Sequence, residues 1–330
     1  MFRIFLVLCL SGLVLVIHAQ NLLVVHAPTS FRGLSVQGSV IWVSGTGGTV
    51  GRSTDGGSHF FWTSVPGFAK KDFRDIEAFD SSTAVIMGID TPAVILRTTD
   101  GGVHWTEVFR DGTPGMFLDA MSFKGAKGIV VGDPVHTFTG DRFYLAMTIN
   151  YGKTWTAFSD GIRPPADSGE GCFASSGTNI RLLLEPGLPY VFVSGGPSSR
   201  VFTNVYGHKL PLIQGFVSTG ANSIATDGAH WVIVGGDFAH DTVTRGNCVY
   251  SVDGGAHWLA PHTPPHGYRS CVVHVSGDTW LCCGTSGIDV SNDGGDHWKL
   301  VSRENFHVAA VAGRTVYLAG ARGRVSKLDL

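Results

Sequence analysis

Three of the segments that read as innermost strands begin with an aromatic residue followed by arginine: Phe31 before Arg32, Phe73 before Arg74 and Tyr268 before Arg269. A guanidinium presents a rigid fork of donors that fits a carboxylate, so three gathered at one place would form an anion-binding cluster. Carboxylates recur in comparable settings. Asp75 follows Arg74, Asp133 lies in Gly-Asp-Pro-Val-His, Asp237 in Gly-Gly-Asp-Phe-Ala-His, and Glu170 in the glycine-rich run 168–171. Two such acids facing each other could divide the acid and base roles of glycoside hydrolysis. The Asp133/His136 and Asp237/His240 pairs share one spacing, but Asp after Gly is ordinary turn chemistry, and no metal site is expected from them. The serine, histidine and cysteine residues show no nucleophile elbow or Cys-His signature, and no G-x-G-x-x-G follows a strand. Neither nucleophilic catalysis nor a cofactor is therefore expected.

These residues are far apart in sequence, so a repeating architecture must bring them together, and one is legible. The phrase S-T-D-G-G-S-H-F starts at Ser53 and recurs as T-T-D-G-G-V-H-W from Thr98, T-I-N-Y-G-K-T-W from Thr148, S-V-D-G-G-A-H-W from Ser251 and S-N-D-G-G-D-H-W from Ser291. Its anchors Asp55, Asp100, Asn150, Asp253 and Asp293 are 45, 50, 103 and 40 residues apart, so the long interval holds one further unit. Asp-Gly and Gly-Gly supply the positive φ angles of a tight hairpin, and the carboxylate accepts bonds from the turn's own amides. The five anchors thus read as structural, as do His59, His104, His257 and His297 beside them. The phrase resembles the Asp-box, or bacterial neuraminidase repeat, which occurs in sialidases, xyloglucanases, sorting receptors and photosystem II assembly factors.

Between these turns each unit has the same order of short strands. Innermost strands are expected to begin near Phe31, Phe73, Phe117, Cys172, Asn222, Arg269 and His307. Second strands at 40–45, 84–88, 128–132, 190–195, 231–235, 279–284 and 315–320 each end in glycine. Four strands per unit predict an all-β fold, a seven-bladed β-propeller of four-stranded antiparallel blades. The fourth unit has lost its repeated turn. The apolar segment 22–26 is expected to close the ring as the outer strand of the last blade, which removes an open sheet edge. The repeated turns would share one face. The arginines, Asp133, Glu170 and Asp237 would share the other, where binding sites collect.

Composition narrows the partners. With 24 basic against 26 acidic residues and no polybasic tract, nucleic acid and anionic membranes are not expected partners. Arg3, the apolar run from Ile4 to Ile17 and a small residue at Ala19 read as a signal peptide over 1–19. Residues 20–330 would then form a single exported domain, periplasmic, extracellular or lumenal, monomeric and without a membrane span. Cys172, Cys248, Cys271, Cys282 and Cys283 remain, an odd number, and are expected to be buried free thiols, although Cys271 lies across a hairpin from Cys282 and Cys283.

The phrases L-R-T-T-D-G-G-V-H-W (96–105), V-V-G-D-P (130–134) and S-N-D-G-G-D-H-W (291–298) make most of the chain resemble exported propellers similar to the photosystem II stability and assembly factors. That resemblance implies a non-catalytic protein-binding module with an arginine-bearing surface. A sialidase resemblance would implicate three arginines, an Asp and a Tyr/Glu pair. Here Gly33 and Leu34 replace the last two residues of its Phe-Arg-Ile-Pro phrase, and Tyr268 sits directly before Arg269. A xyloglucanase-like hydrolase would use facing carboxylates between two propellers, and this chain has one. The reading is therefore a binding or assembly propeller that contacts a protein partner or carboxylated, for example carbohydrate, ligand through Arg32, Arg74, Asp75, Asp133, Glu170, Asp237, Tyr268 and Arg269. The alternative is a glycoside hydrolase working at the same mouth.

Overall fold

The computed structural model describes residues 20–330, so the expected leader and its cleavage after Ala19 lie outside the described residues. Seven antiparallel sheets follow one another along the chain. Each innermost strand packs beside the next, and the innermost strand of blade 7, Val308–Ala312, packs beside that of blade 1, Phe31–Gln37. The result is a seven-bladed β-propeller, as the repeat spacing predicts. Gln20–Val25 pairs antiparallel with Arg324–Asp329 and completes blade 7 as its outer strand. This pairing covers the edge that Arg324–Asp329 would otherwise expose and ties the last blade to the strand that precedes the first.

Two expectations need correction. Blade 5 is a three-stranded sheet, Thr219–Asp227, His230–Asp237 and Cys248–Ser251, with its outer edge reduced to a single bridge between Tyr250 and Leu259. In blade 4 the innermost strand begins at Ile180 rather than near Cys172. The intervening residues cross the channel, where they bond to other blades. Blade 4 also replaces the repeated turn by a tight hairpin in which Asn204 takes φ +57° and Thr203 pairs with Tyr206.

Blades adhere through apolar faces pressed together. Trp42, Val50, Ile76, Ile86 and Leu96 fill the space between blades 1 and 2, and Ile129, Phe143, Phe192 and Phe202 that between blades 3 and 4. Stacking of Phe192 on Phe202 at a centroid separation of 4.5 Å adds to the apolar burial. All five described cysteines are buried and free, including Cys271 and Cys283, which are register partners.

The repeated turns behave as their chemistry dictates. In the first, Ser53 Oγ donates to Asp55 Oδ1 at 2.8 Å, and Asp55 Oδ1 accepts from the His59 amide at 2.9 Å. Asp100, Asp253 and Asp293 repeat both contacts, and Asn150 keeps them with its amide oxygen. Bonding from the His59, His104 and His257 amides holds the Asp55, Asp100 and Asp253 carboxyls below their usual range, Asp100 at about 2.

Candidate functional site at the channel mouth

One local irregularity builds the mouth. In blades 1, 2, 3 and 5 the register of the innermost strand slips at the same place, between Phe31 and Gly33, Phe73 and Asp75, Leu118 and Ala120, and Ala221 and Ser223. A bulge leaves one residue out of the ladder and re-aims its side chain. The residues so released are Arg32, Arg74, Asp119 and Asn222. The glycine ending the second strand abuts the backbone at Phe31, Leu118, Ala221, Arg269 and Phe306, which makes Ser270 and His307 the equivalents in blades 6 and 7. Six blades thus send a polar side chain to one ring. Together with Asp133, Tyr268 and aromatic residues, five of the six line a cavity of about 430 Å³.

The ring is electrostatically divided. Arg74 Nε donates to Asp72 at 2.8 Å, whereas Arg32 forms no ion pair among the described residues. Burial, followed by the charge of Arg74, lowers the Arg32 pKa. Burial, Arg32 and Arg74 also drive His307 down to about 3, so it is neutral at physiological pH. On the opposite side Asp119 is fully buried, with the backbone amides of Asp133 and Ala174 near its carboxyl but no well-formed hydrogen bond to either oxygen. Burial first, then neighbouring Asp133, pushes its carboxyl well above the usual range. Asp133 accepts from the Cys172 amide at 2.9 Å and is itself raised to about 6 by burial.

A segment of the chain lies across this mouth. Arg32 Nη1 donates to the Ser175 carbonyl at 3.1 Å and Arg74 Nη1 to that of Ala174 at 3.3 Å. Ser175 Oγ bonds Asn222 at 2.9 Å, Ser176 Oγ donates to the Ser270 carbonyl at 2.7 Å, and Tyr268 OH donates to Asn222 at 2.8 Å. Burial raises the Tyr268 phenol to about 12. Residues 172–179 therefore join blades 1, 2, 5 and 6 to blade 4, which is why that blade's innermost strand starts late. Phe173 and Phe238 meet edge to face at 5.6 Å, and Phe238 meets Tyr268 at 6.3 Å, forming an aromatic wall. Phe216, Val217 and Phe238 are exposed.

Of the residues singled out in the sequence, Arg32, Arg74, Asp133 and Tyr268 share the cavity. Four others are elsewhere. Arg269 occupies the position that Phe31 holds in blade 1, one residue out of step, so it points into blade 6 and bonds Asp289 instead of joining the arginine cluster. Glu170 is buried and paired with Arg200, with the Asp167 amide donating to it at 2.8 Å, and so fastens its loop. Asp237 is engaged by His240 Nδ1 at 2.8 Å and by the Ala239 amide at 2.9 Å. Asp75 lies beneath the mouth, covered by Gly177, and accepts from the Met121 and Ile76 amides at 2.6 and 2.8 Å. His136 bonds Asp141 rather than Asp133, so the two Asp/His phrases do not converge. Asp119, Asn222, Ser270 and His307 carry no motif. Aligning the blades on the second-strand glycine, rather than on the aromatic before each arginine, would have found them.

The mouth predicts an unusual pH response. The Asp133 and Asp119 carboxyls are raised, so their protonated forms favour the folded state, and the unfolded chain releases those protons more readily. Their contribution is full below about pH 4 and is lost as pH rises through about 6 and beyond. The depressed Asp55, Asp100 and Asp253 act in the opposite sense, with stability lost as pH falls below about 4. His307, held down to about 3, also opposes the decline until the unfolded chain's imidazole is neutral near pH 6.5, so urea denaturation from about pH 6.5 to 8 is expected to show the alkaline decline, and Asp119→Asn to flatten it. An unchanged slope in Asp119→Asn would refute the assignment.

No family model and no curated protein sequence matches the chain. No helix among the described residues is long and apolar enough to cross a membrane. Solved structures do match. "YCF48 bound to D1 peptide" aligns with a TM-score of 0.62 at 16% identity over 95% of each chain. YCF48 from Cyanidioschyzon merolae gives 0.62 at 17% over 94% of this chain and 98% of that one. The WD40 propeller domain of Doa1 gives 0.61 at 12% over 94% and 97%. At such identities the likeness establishes the shared seven-bladed architecture.

Proposed function

We propose that this chain is an exported, non-catalytic binding propeller of the Asp-box kind that takes an extended peptide of a protein partner at the mouth of its channel. The observation that carries this reading is the grip of Arg32 and Arg74 on the main-chain carbonyls of residues 174–175. These guanidiniums hold a turn of the chain's own backbone across the mouth and retain further donors for an acidic group of a partner. The exposed Phe216, Val217 and Phe238 extend the surface with apolar contact of the kind that anchors interfaces. Asp119, buried with no well-formed hydrogen bond to its oxygens, would accept from an ammonium, guanidinium or hydroxyl of the bound chain. The YCF48 propeller bound to a D1 peptide lends the reading support as a case of the same architecture engaging a peptide.

A hydrolase at this mouth would draw on Asp119 and Asp133, the two carboxyls with raised pKa in one cavity. One experiment separates the two. The purified protein is used to capture partners from envelope extract and, in parallel, is heated with sialic acids, uronic acids and β-glucan oligosaccharides. Capture of a protein that Arg32→Ala and Arg74→Ala both release, with no sugar shifting the unfolding midpoint, supports the peptide reading. A sugar-dependent rise in midpoint abolished by Asp119→Asn would replace it with the hydrolase.

A further inference from the structure

Blade 6 carries a feature that the other repeated turns lack. In the turns at 53–60, 98–105 and 251–258 the histidine Nδ1 faces its own aspartate, at 2.7 Å in His59, 2.7 Å in His104 and 2.6 Å in His257. His297 does the same with Asp293 at 2.8 Å, but a second imidazole has been brought onto it. His262 Nδ1 lies 2.8 and 2.9 Å from the two oxygens of Asp296, and its ring stacks on His297 at 5.4 Å with an interplanar angle of 5°. Asp296 also reaches His297 Nδ1 at 3.5 Å. The backbone fixes the arrangement, since Thr263 donates to the Asp296 carbonyl at 3.1 Å and accepts from the Trp298 amide at 2.9 Å.

We propose that His262, Asp296 and His297 form a binding site for a divalent transition-metal ion of the zinc class. One atom from each residue lies within 4.8 Å of the others, and rotation of the exposed rings would bring them to the roughly 3.4 Å that separates ligands around a tetrahedral ion with bonds of about 2.0–2.2 Å. Two imidazoles and a carboxylate suit zinc, copper or nickel, whereas magnesium and calcium require oxygen ligands. On binding, each imidazole bonds the ion through an unprotonated ring nitrogen, any proton there passing to solvent; ligation at Nδ1 would replace the contacts of His297 with Asp293 and of His262 with Asp296, whose carboxylate turns from acceptor to ligand. His262 belongs to the segment that forms the reduced outer edge of blade 5, so the ion would staple the weakest blade to its neighbour.

The test is calorimetric titration of the metal-free full chain with zinc chloride, alongside magnesium chloride, and thermal unfolding in both. One zinc per chain, a midpoint that rises with zinc concentration and no response to magnesium are expected. His262→Ala removes an exposed side chain and is expected to weaken zinc binding by more than about tenfold. His104→Ala, the equivalent change in a turn without a second imidazole, is expected to leave it unchanged. Absence of stoichiometric zinc binding, binding of equal strength in His262→Ala, or equal loss in His104→Ala would overturn the site.

Discussion

Asp289→Ala is expected to destabilise the folded protein by about 3–5 kcal/mol, a loss readable as a lower urea midpoint at unchanged slope. Arg269 and Asp289 are both fully buried, and Arg269 spends its donors on Asp289, on the Tyr268 carbonyl at 2.8 Å and on Ser286 Oγ at 2.6 Å. His266 closes the network with Nδ1 at 2.7 Å from the second Asp289 oxygen. Removing the carboxylate leaves a buried guanidinium without its counter-charge and out of reach of water, so the full desolvation penalty appears. The double replacement Arg269→Met with Asp289→Leu is expected to recover most of the loss, because an apolar pair of similar volume has no charge to desolvate. A change of about 1 kcal/mol or less in Asp289→Ala, the range of exposed pairs such as Arg110 with Glu107, would show that water reaches the network.

The second large effect is on binding. Replacing Arg32 and Arg74 together by alanine is expected to weaken partner capture by about two orders of magnitude or more, since each charge-assisted hydrogen bond contributes about 1.5–3 kcal/mol and tenfold corresponds to about 1.4 kcal/mol. The two effects are not expected to add, because both arginines hold the same crossing segment and repel each other across the cavity. Arg32→Lys with Arg74→Lys keeps the charge but loses the planar fork. If geometry matters, the lysine pair is expected to resemble the alanine pair more than the wild type. Equal capture by wild type and the alanine pair, with circular dichroism unchanged, would remove the mouth from the interface.

Much of the fold was legible because its determinants are local. The Asp-Gly-Gly turns announce themselves through positive φ angles and a carboxylate folded back on its own amides, as at Asp55 and Asp253. Second strands ending in glycine were equally plain, since a Cβ at Gly45 or Gly284 would collide with the backbone of the neighbouring strand. The candidate site was half legible. Arg32 and Arg74 stood out because an aromatic precedes each, but Tyr268 and Arg269 repeat that phrase one register step away, which exchanges the side chain facing the channel for the one facing the blade. Glu170 and Arg200 illustrate a different limit, because nothing in the sequence says which of many acids a distant arginine will meet.

By itself the sequence determined the blade count, the position of each repeated turn and the use of the N-terminal strand to close the ring, all consequences of turn chemistry, period and the cost of an open edge. The tertiary structure decided what stands at the mouth. Bulges recurring at one position in four innermost strands select Arg32, Arg74, Asp119 and Asn222, and the long approach to blade 4 lays residues 172–179 across them. The physical reason is that register and bulges depend on how neighbouring strands pair, and charge partners on how separate blades pack. Neither is encoded in the residues flanking the side chain concerned.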